Sequence, residues 1–176
     1  MRLAPGWTRL LKTVHIILSS AWLASAMILV FFFAAVVPGA SRADLHGILI
    51  ALKAIDDWVI IPAANGILIT GIMYGALTHW GWFKHGWITA KWGITLYGIL
   101  FGTFLLGPRL NRLPELAVSV PIDIPLPAEF TAGLAFLQVW GSVQLATLLA
   151  AYLLSVYRWK RKGSFPPAHR AASDPA

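Results

Sequence analysis

The chain has no cysteine, and only 12% of its residues are charged. Without a thiol there is no disulfide, no thiolate nucleophile, no Cys-ligated zinc and no iron–sulfur cluster. A soluble domain carries about 25% charged residues, so the shortage of charge argues against one. Acidic residues are scarcest: seven in 176 positions, against fourteen Lys and Arg. None of them falls inside a long apolar run, which argues against a proton-coupled carrier, because such carriers place carboxylates within the membrane. Also missing are the alternating strands of about ten residues that build a membrane β-barrel, any internal repeat, and a signal-peptide cleavage site after the first apolar run.

What the chain does have is apolar length. Hydrophobic residues make up 58% of the sequence, and the mean hydropathy is +0.71. Four runs reach the roughly 20 apolar residues that a membrane helix needs, at about 13–37, 58–78, 87–107 and 131–157. The expected fold class is therefore all-α: a polytopic membrane protein, one four-transmembrane-helix bundle over residues 1–162. The Pro-, Ala- and Ser-rich tail 163–176 is expected to be disordered.

Lys and Arg set the expected orientation. Nine basic residues lie on one side of the spans: Arg2, Arg9, Lys12, Lys84, Arg158, Lys160, Arg161, Lys162 and Arg170. The opposite loops hold four (Arg42, Lys53, Arg109, Arg112) and six of the seven acids. Both termini are thus expected in the cytoplasm, with the protein in the cell membrane and the lipid bilayer as its main partner. The basic tail reads as a topology signal, or as a contact for anionic lipid. Charge placed beside a membrane does not point to nucleic acid. Of the outer loops, 43–55 is expected to be an interfacial helix. The segment 114–127, with four prolines, is expected to be an extended lid.

Small residues let membrane helices approach closely. Gly71-x3-Gly75 and Gly98-x3-Gly102 are read as contacts inside the bundle, with a homo-oligomer or a membrane-complex partner as the other use of such a motif.

Two ionisable residues lie inside spans, where they cost roughly 2.5–3.5 kcal/mol and mark function by default. Lys91, Thr95, Gly98 and Gly102 share one face of the third span, and His15, Ser19, Trp22 and Ala26 one face of the first. Both spans start on the cytoplasmic side, so His15 and Lys91 are expected at similar depth. Three chemistries fit them. His15 can ligate haem iron through a neutral imidazole, with Lys91 as second ligand or as partner of a porphyrin carboxylate. The two can form a proton relay. Or Lys91 snorkels to the interface and His15 bonds a neighbouring helix. His79 and His85, beside the cytoplasmic loop, are further candidates for a second ligand. Outside, His46 with Asp44, Asp56, Asp57, Asp123 and Glu129 offers a mixed imidazole–carboxylate set, though its spacing matches no metal motif.

The segment Lys12-Thr-Val-His15-x6-Trp22 resembles the first helix of small bacterial membrane proteins of the HemJ-type protoporphyrinogen oxidase and copper-resistance D group. Trp87-Ile-Thr-Ala-Lys91 is similar to the Trp-x3-Lys segment that begins a later HemJ helix. The third span, ending in Phe101-Gly-Thr-Phe-Leu-Leu-Gly-Pro108, resembles that of a four-helix family of integral membrane proteins without an assigned function. In the HemJ type the matching His and Lys are associated with haem and activity. The Pro-Arg segment that closes the HemJ-type first helix has no counterpart in Phe31–Val37. The resemblance implies a haem b or related porphyrin in a cytoplasmic-leaflet site with His15 as iron ligand. His15, Ser19, Trp22, Lys91 and Thr95 would line that site, and a redox role would follow. The alternatives are a small transporter, with Asn65, Gln138 and Gln144 extending a polar path, and an accessory or structural subunit with no cofactor.

Overall fold

The computed structural model describes residues 4–77, 83 and 86–156. All regular structure among them is helical, in the order α1 (Pro5–Phe31), α2 (Arg42–Ile55), α3 (Ile61–Leu77), α4 (Gly86–Phe101), α5 (Gly107–Val118) and α6 (Ala128–Val156). Helical turns of other pitch join several of these, so the chain forms four rods: Pro5–Gly39, Arg42–Leu77, Gly86–Val118 and Ala128–Ser155. Each is long and apolar enough to cross a membrane. The 36 residues of the second rod extend roughly 54 Å at about 1.5 Å per residue, well past a hydrocarbon core of about 30 Å. The rods alternate in direction. The bundle has a terminal end, where α1 begins and α6 finishes, and a far end, where residues 40–41 and 119–127 connect the rods.

Three of the rods widen at the far end into single π turns: Phe32–Val36, Asp56–Ile60 and Gly102–Leu106. Each is followed, two residues on, by a proline: Pro38, Pro62 and Pro108. The cause is local. A proline in a continuing helix has no N–H to donate, and its ring meets the carbonyl four residues earlier. Those carbonyls belong to Ala34, Trp58 and Phe104, the middle residue of each π turn. Widening the turn moves the carbonyl away from the ring; the helix then continues as α3 and α5, whereas the first rod closes in the 3-10 turn Val37–Gly39.

Two clusters hold the rods together. In the far half, Leu45, Leu49 and Leu52 of α2 pack on Leu110, Leu113, Leu116 and Ala117 of α5, with Phe33, Val37, Phe130 and Leu137 closing the sides. Leu49, Leu52 and Leu113 are sealed completely. Ser41 starts α2 as its N-cap: its hydroxyl accepts from the Asp44 N–H at 3.2 Å and donates to the Asp44 carboxylate at 2.6 Å. Nearer the middle, Trp22, Ala26, Ala63, Ala64, Ile67 and Leu148 form the second cluster. Here small residues set the spacing: a Cβ on Gly66 would come within 2.7 Å of Leu18, so α1 and α3 approach closely because residue 66 has none. The outward faces stay apolar, as at Ile16, Ile17, Leu100, Phe104, Val139 and Leu153, which suits lipid and not water.

The far end differs from expectation in two respects. Residues 43–55 are helical as expected, but they continue into the second span and bury their leucines against α5 instead of lying on an interface. The segment 114–127 is not an extended lid throughout: Pro114 is inside α5, and the helix runs to Val118. An interior proline costs about 3 kcal/mol. Burying Leu110, Leu113 and Leu116 returns roughly 1.5–3 kcal/mol each, and His46 Nδ1–H donates to the Pro114 carbonyl at 3.0 Å. Packing therefore outweighs the break. Arg112 also bridges Glu115 and Glu129 at 2.7 and 3.3 Å, but all three are exposed, so these pairs add little.

Leu113→Ala should lower stability by about 2–5 kcal/mol in denaturant unfolding of the detergent-solubilised protein. The same change at exposed Leu153 should cost less than about 1 kcal/mol.

Candidate functional site

His15 lies on α1, three turns from its start, half-buried against α3. Its Nδ1 is 2.7 Å from the Thr70 hydroxyl oxygen. The same hydroxyl oxygen lies 2.7 Å from the Gly66 carbonyl and 3.1 Å from that of Ile67. A hydroxyl that donates to the backbone accepts from the imidazole. In that arrangement the His15 proton is on Nδ1 and the lone pair on Nε2; with the other tautomer the hydroxyl donates to Nδ1 instead. Tyr74, one turn along α3, sets its ring edge-on to the imidazole at 6.2 Å. Thr70 did not figure among the residues singled out from sequence. The available signal was its place four residues before Tyr74, on the same face of the second span.

Lys91 ties a different pair of helices. From α4 its Nζ donates to Ser155 Oγ on α6 at 2.7 Å, and it lies 5.8 Å from the centre of the Trp87 ring. Ser155 in turn donates to the Ala151 carbonyl at 3.1 Å. Among the described residues, the His15 and Lys91 side chains share no hydrogen bond: His15 joins α1 to α3, and Lys91 joins α4 to α6.

The other expected site residues separate. Ser19 donates to the His15 backbone carbonyl at 2.7 Å, a bond within its own helix. Thr95 is half-buried one turn beyond Lys91 on the same face of α4. Trp22 is two turns deeper than His15 and 5% exposed. It packs against Gly98, where an added Cβ would sit 3.0 Å from the indole and 2.6 Å from the Gln144 amide. Gly98 and Gly71, which faces Trp92, thus serve contacts within the bundle, while Gly102 meets nothing there. Trp22 and Gln144 also line a cavity of about 550 Å³ in the far half, which His15, Lys91 and Thr95 do not reach.

Of the polar residues read as an outward path, Gln138 donates to the Phe33 carbonyl at 2.8 Å and Asn65 to the Ile61 carbonyl at 2.9 Å. At the far end, His46 is taken up by Pro114, and Lys53 pairs with Asp57. No group of three or more His, Cys, Asp or Glu residues that could hold a metal occurs among the described residues. Thr78, His79, Lys84, His85, His169 and the tail 163–176 lie outside them.

Comparison with protein-family models, with curated proteins and with solved structures finds no match to the chain.

Thr70→Val should remove the acceptor of Nδ1–H at a cost of about 1 kcal/mol. It should also shift the His15 ring-nitrogen resonances of ¹⁵N-histidine-labelled protein away from a single Nδ1–H tautomer. Unchanged resonances would show that Thr70 does not set the tautomer.

Proposed function

We propose that this chain is a multi-pass cell-membrane protein, with both termini in the cytoplasm, that binds a haem b or related porphyrin through His15 and serves a redox role. One observation carries the reading: His15 Nδ1 lies 2.7 Å from a Thr70 hydroxyl that is also within reach of the Gly66 carbonyl, an arrangement suited to an Nδ1–H donor with the Nε2 lone pair left for iron. A metal-bound histidine is ordinarily held in this way, with its other nitrogen donating to a neighbouring group. The resemblance of the His15 and Lys91 segments to HemJ-type helices adds to it.

The residues fit such a group unequally. His15 suits one axial position. For the second position Lys91 would have to leave Ser155, to which its Nζ donates, and the Trp87 ring beside it. That placement suits a propionate carboxylate instead. A bound haem would supply the one-electron chemistry. The chain's part is to hold the imidazole tautomer through Thr70, to place a positive charge with Lys91, and to cover the site with Tyr74 and the apolar face of α1. Nine basic residues on the terminal side against four on the far side support the orientation.

The purified protein should show a Soret band near one haem per chain, with bands that shift on dithionite reduction. His15→Ala should lose them while keeping its unfolding midpoint. A full spectrum in that variant, or a colourless wild-type protein from cells supplied with haem precursor, overturns the proposal and favours the transporter or accessory-subunit reading.

The lack of native cysteine makes the orientation directly testable. A single cysteine at exposed Ile122 should react with an impermeant maleimide on intact cells, and one at exposed Phe83 only after lysis. The reverse pattern would put His15 beside the opposite leaflet.

A further inference from the structure

The cavity in the far half is built separately from the His15 site. Its volume of about 550 Å³ falls within the range of small-molecule pockets. All three π turns contribute to its wall, through Phe33, Ile60 and Gly102 among others. Widened turns recur at functional sites in helices, and here three rods widen at one level around one space. Gly102 leaves more room still, since a Cβ there meets no atom within 4 Å.

The polar groups around this space are unequal. Lys53 pairs with Asp57, whereas Asp56, half-buried on the cavity wall, has no hydrogen bond or ion pair among the described residues. On the deep wall Gln144 is 6% exposed, and both its amide atoms are buried without a partner. Buried amides are nearly always bonded. The rest of the lining is mainly apolar. On the facing rods, lining residues Ile61 and Asn65 of α3, and Thr103 and Pro108 of the third rod, are also exposed. The space therefore opens sideways between the second and third rods, toward the bilayer.

We propose that this cavity binds a lipid-soluble organic cation, an ammonium or other onium group on an apolar body, entering from the bilayer between the second and third rods. The cationic group pairs with Asp56, the apolar body lies against Trp22, Phe33 and Leu106, and Gln144 offers a hydrogen bond at the deep wall. An anion would meet the Asp56 charge, and a neutral hydrocarbon would leave Asp56 and Gln144 unpartnered. This assignment is independent of haem at His15.

The test uses the full chain in dodecyl maltoside micelles, which carry no cationic group, with two probes of matched shape and opposite charge, tetraphenylphosphonium and tetraphenylborate. The phosphonium should bind saturably at about one per chain, and the borate should show no saturable binding. Asp56→Asn should weaken the phosphonium about tenfold or more. Gly102→Leu, which fills the cavity without touching a charge, should abolish binding and decides the matter if Asp56→Asn does not fold. Unsaturable phosphonium binding, equal binding by folded Asp56→Asn, or retained affinity in Gly102→Leu overturns the proposal. Native mass spectrometry of protein released from its own membranes identifies the source. An amine-headed lipid displaced by the phosphonium marks a lipid headgroup as occupant; a bare protein that takes up the phosphonium marks a free amphiphile.

Discussion

Three prolines govern this bundle. Pro38, Pro62 and Pro108 each stand two residues past a π turn, and each forces its rod to accommodate a ring against the carbonyl four residues back. One such turn would be a local adjustment. Three at one level, on three of four packed rods, hold the helices apart there. The far half consequently encloses a space, while close contacts such as Leu18 with Gly66 and Trp22 with Gly98 lie below it. The far-end leucine cluster of α2 and α5 then closes the rods again beyond the widened level.

The bundle is thereby divided along its length. Toward the terminal end its polar side chains are engaged in pairs that stitch neighbouring helices: His15 with Thr70, and Lys91 with Ser155. Toward the far end stand a carboxylate, Asp56, and an amide, Gln144, without a hydrogen bond or ion pair among the described residues, Asp56 lying near the charges of Lys53 and Asp57. Trp22 separates the two regions. It is buried by Gly98 on one side and lines the cavity on the other. A side chain at position 98 would push both the indole and the Gln144 amide, so this glycine couples the two regions sterically.

Much of the architecture was legible in the sequence, because a membrane span announces itself by length and hydropathy. Apart from residues 78, 156 and 157 at their ends, the four expected spans fall within the four rods. The expectation failed where a different rule prevailed. Pro114 was read as a helix breaker, but leucine burial on both sides of it is worth more than the missing bond. Residues 43–55 were correctly read as helical, yet their amphipathic face was assigned to the membrane surface, because nothing local reveals that α5 lies opposite. The π turns were open to inference: prolines near the far ends of three runs must be accommodated either by ending a helix or by widening it. After Pro38 the chain reads Gly-Ala-Ser and the first rod ends, whereas beyond Pro62 and Pro108 apolar or amphipathic sequence continues and the helix continues with it. At the site, helical spacing placed His15, Ser19 and Trp22 on one face, but two helical turns separate His15 from Trp22 by about 10 Å. That distance puts them in different regions. Thr70 was obscured because a threonine in an apolar helix commonly bonds back to its own backbone. This one does so at Gly66, and a hydroxyl so engaged accepts from His15.

The α2–α5 seam has a further consequence, for the order of assembly. The leucines of α2 leave the ribosome before those of α5, and the whole of the second and third spans lies between them. Until α5 emerges, Leu45, Leu49 and Leu52 have, of their cluster, only Phe33 and Val37 of the first rod beside them. An amphipathic helix in that condition rests at the lipid–water boundary. The surface position that α2 does not occupy in the finished protein is thus its natural waiting place during synthesis.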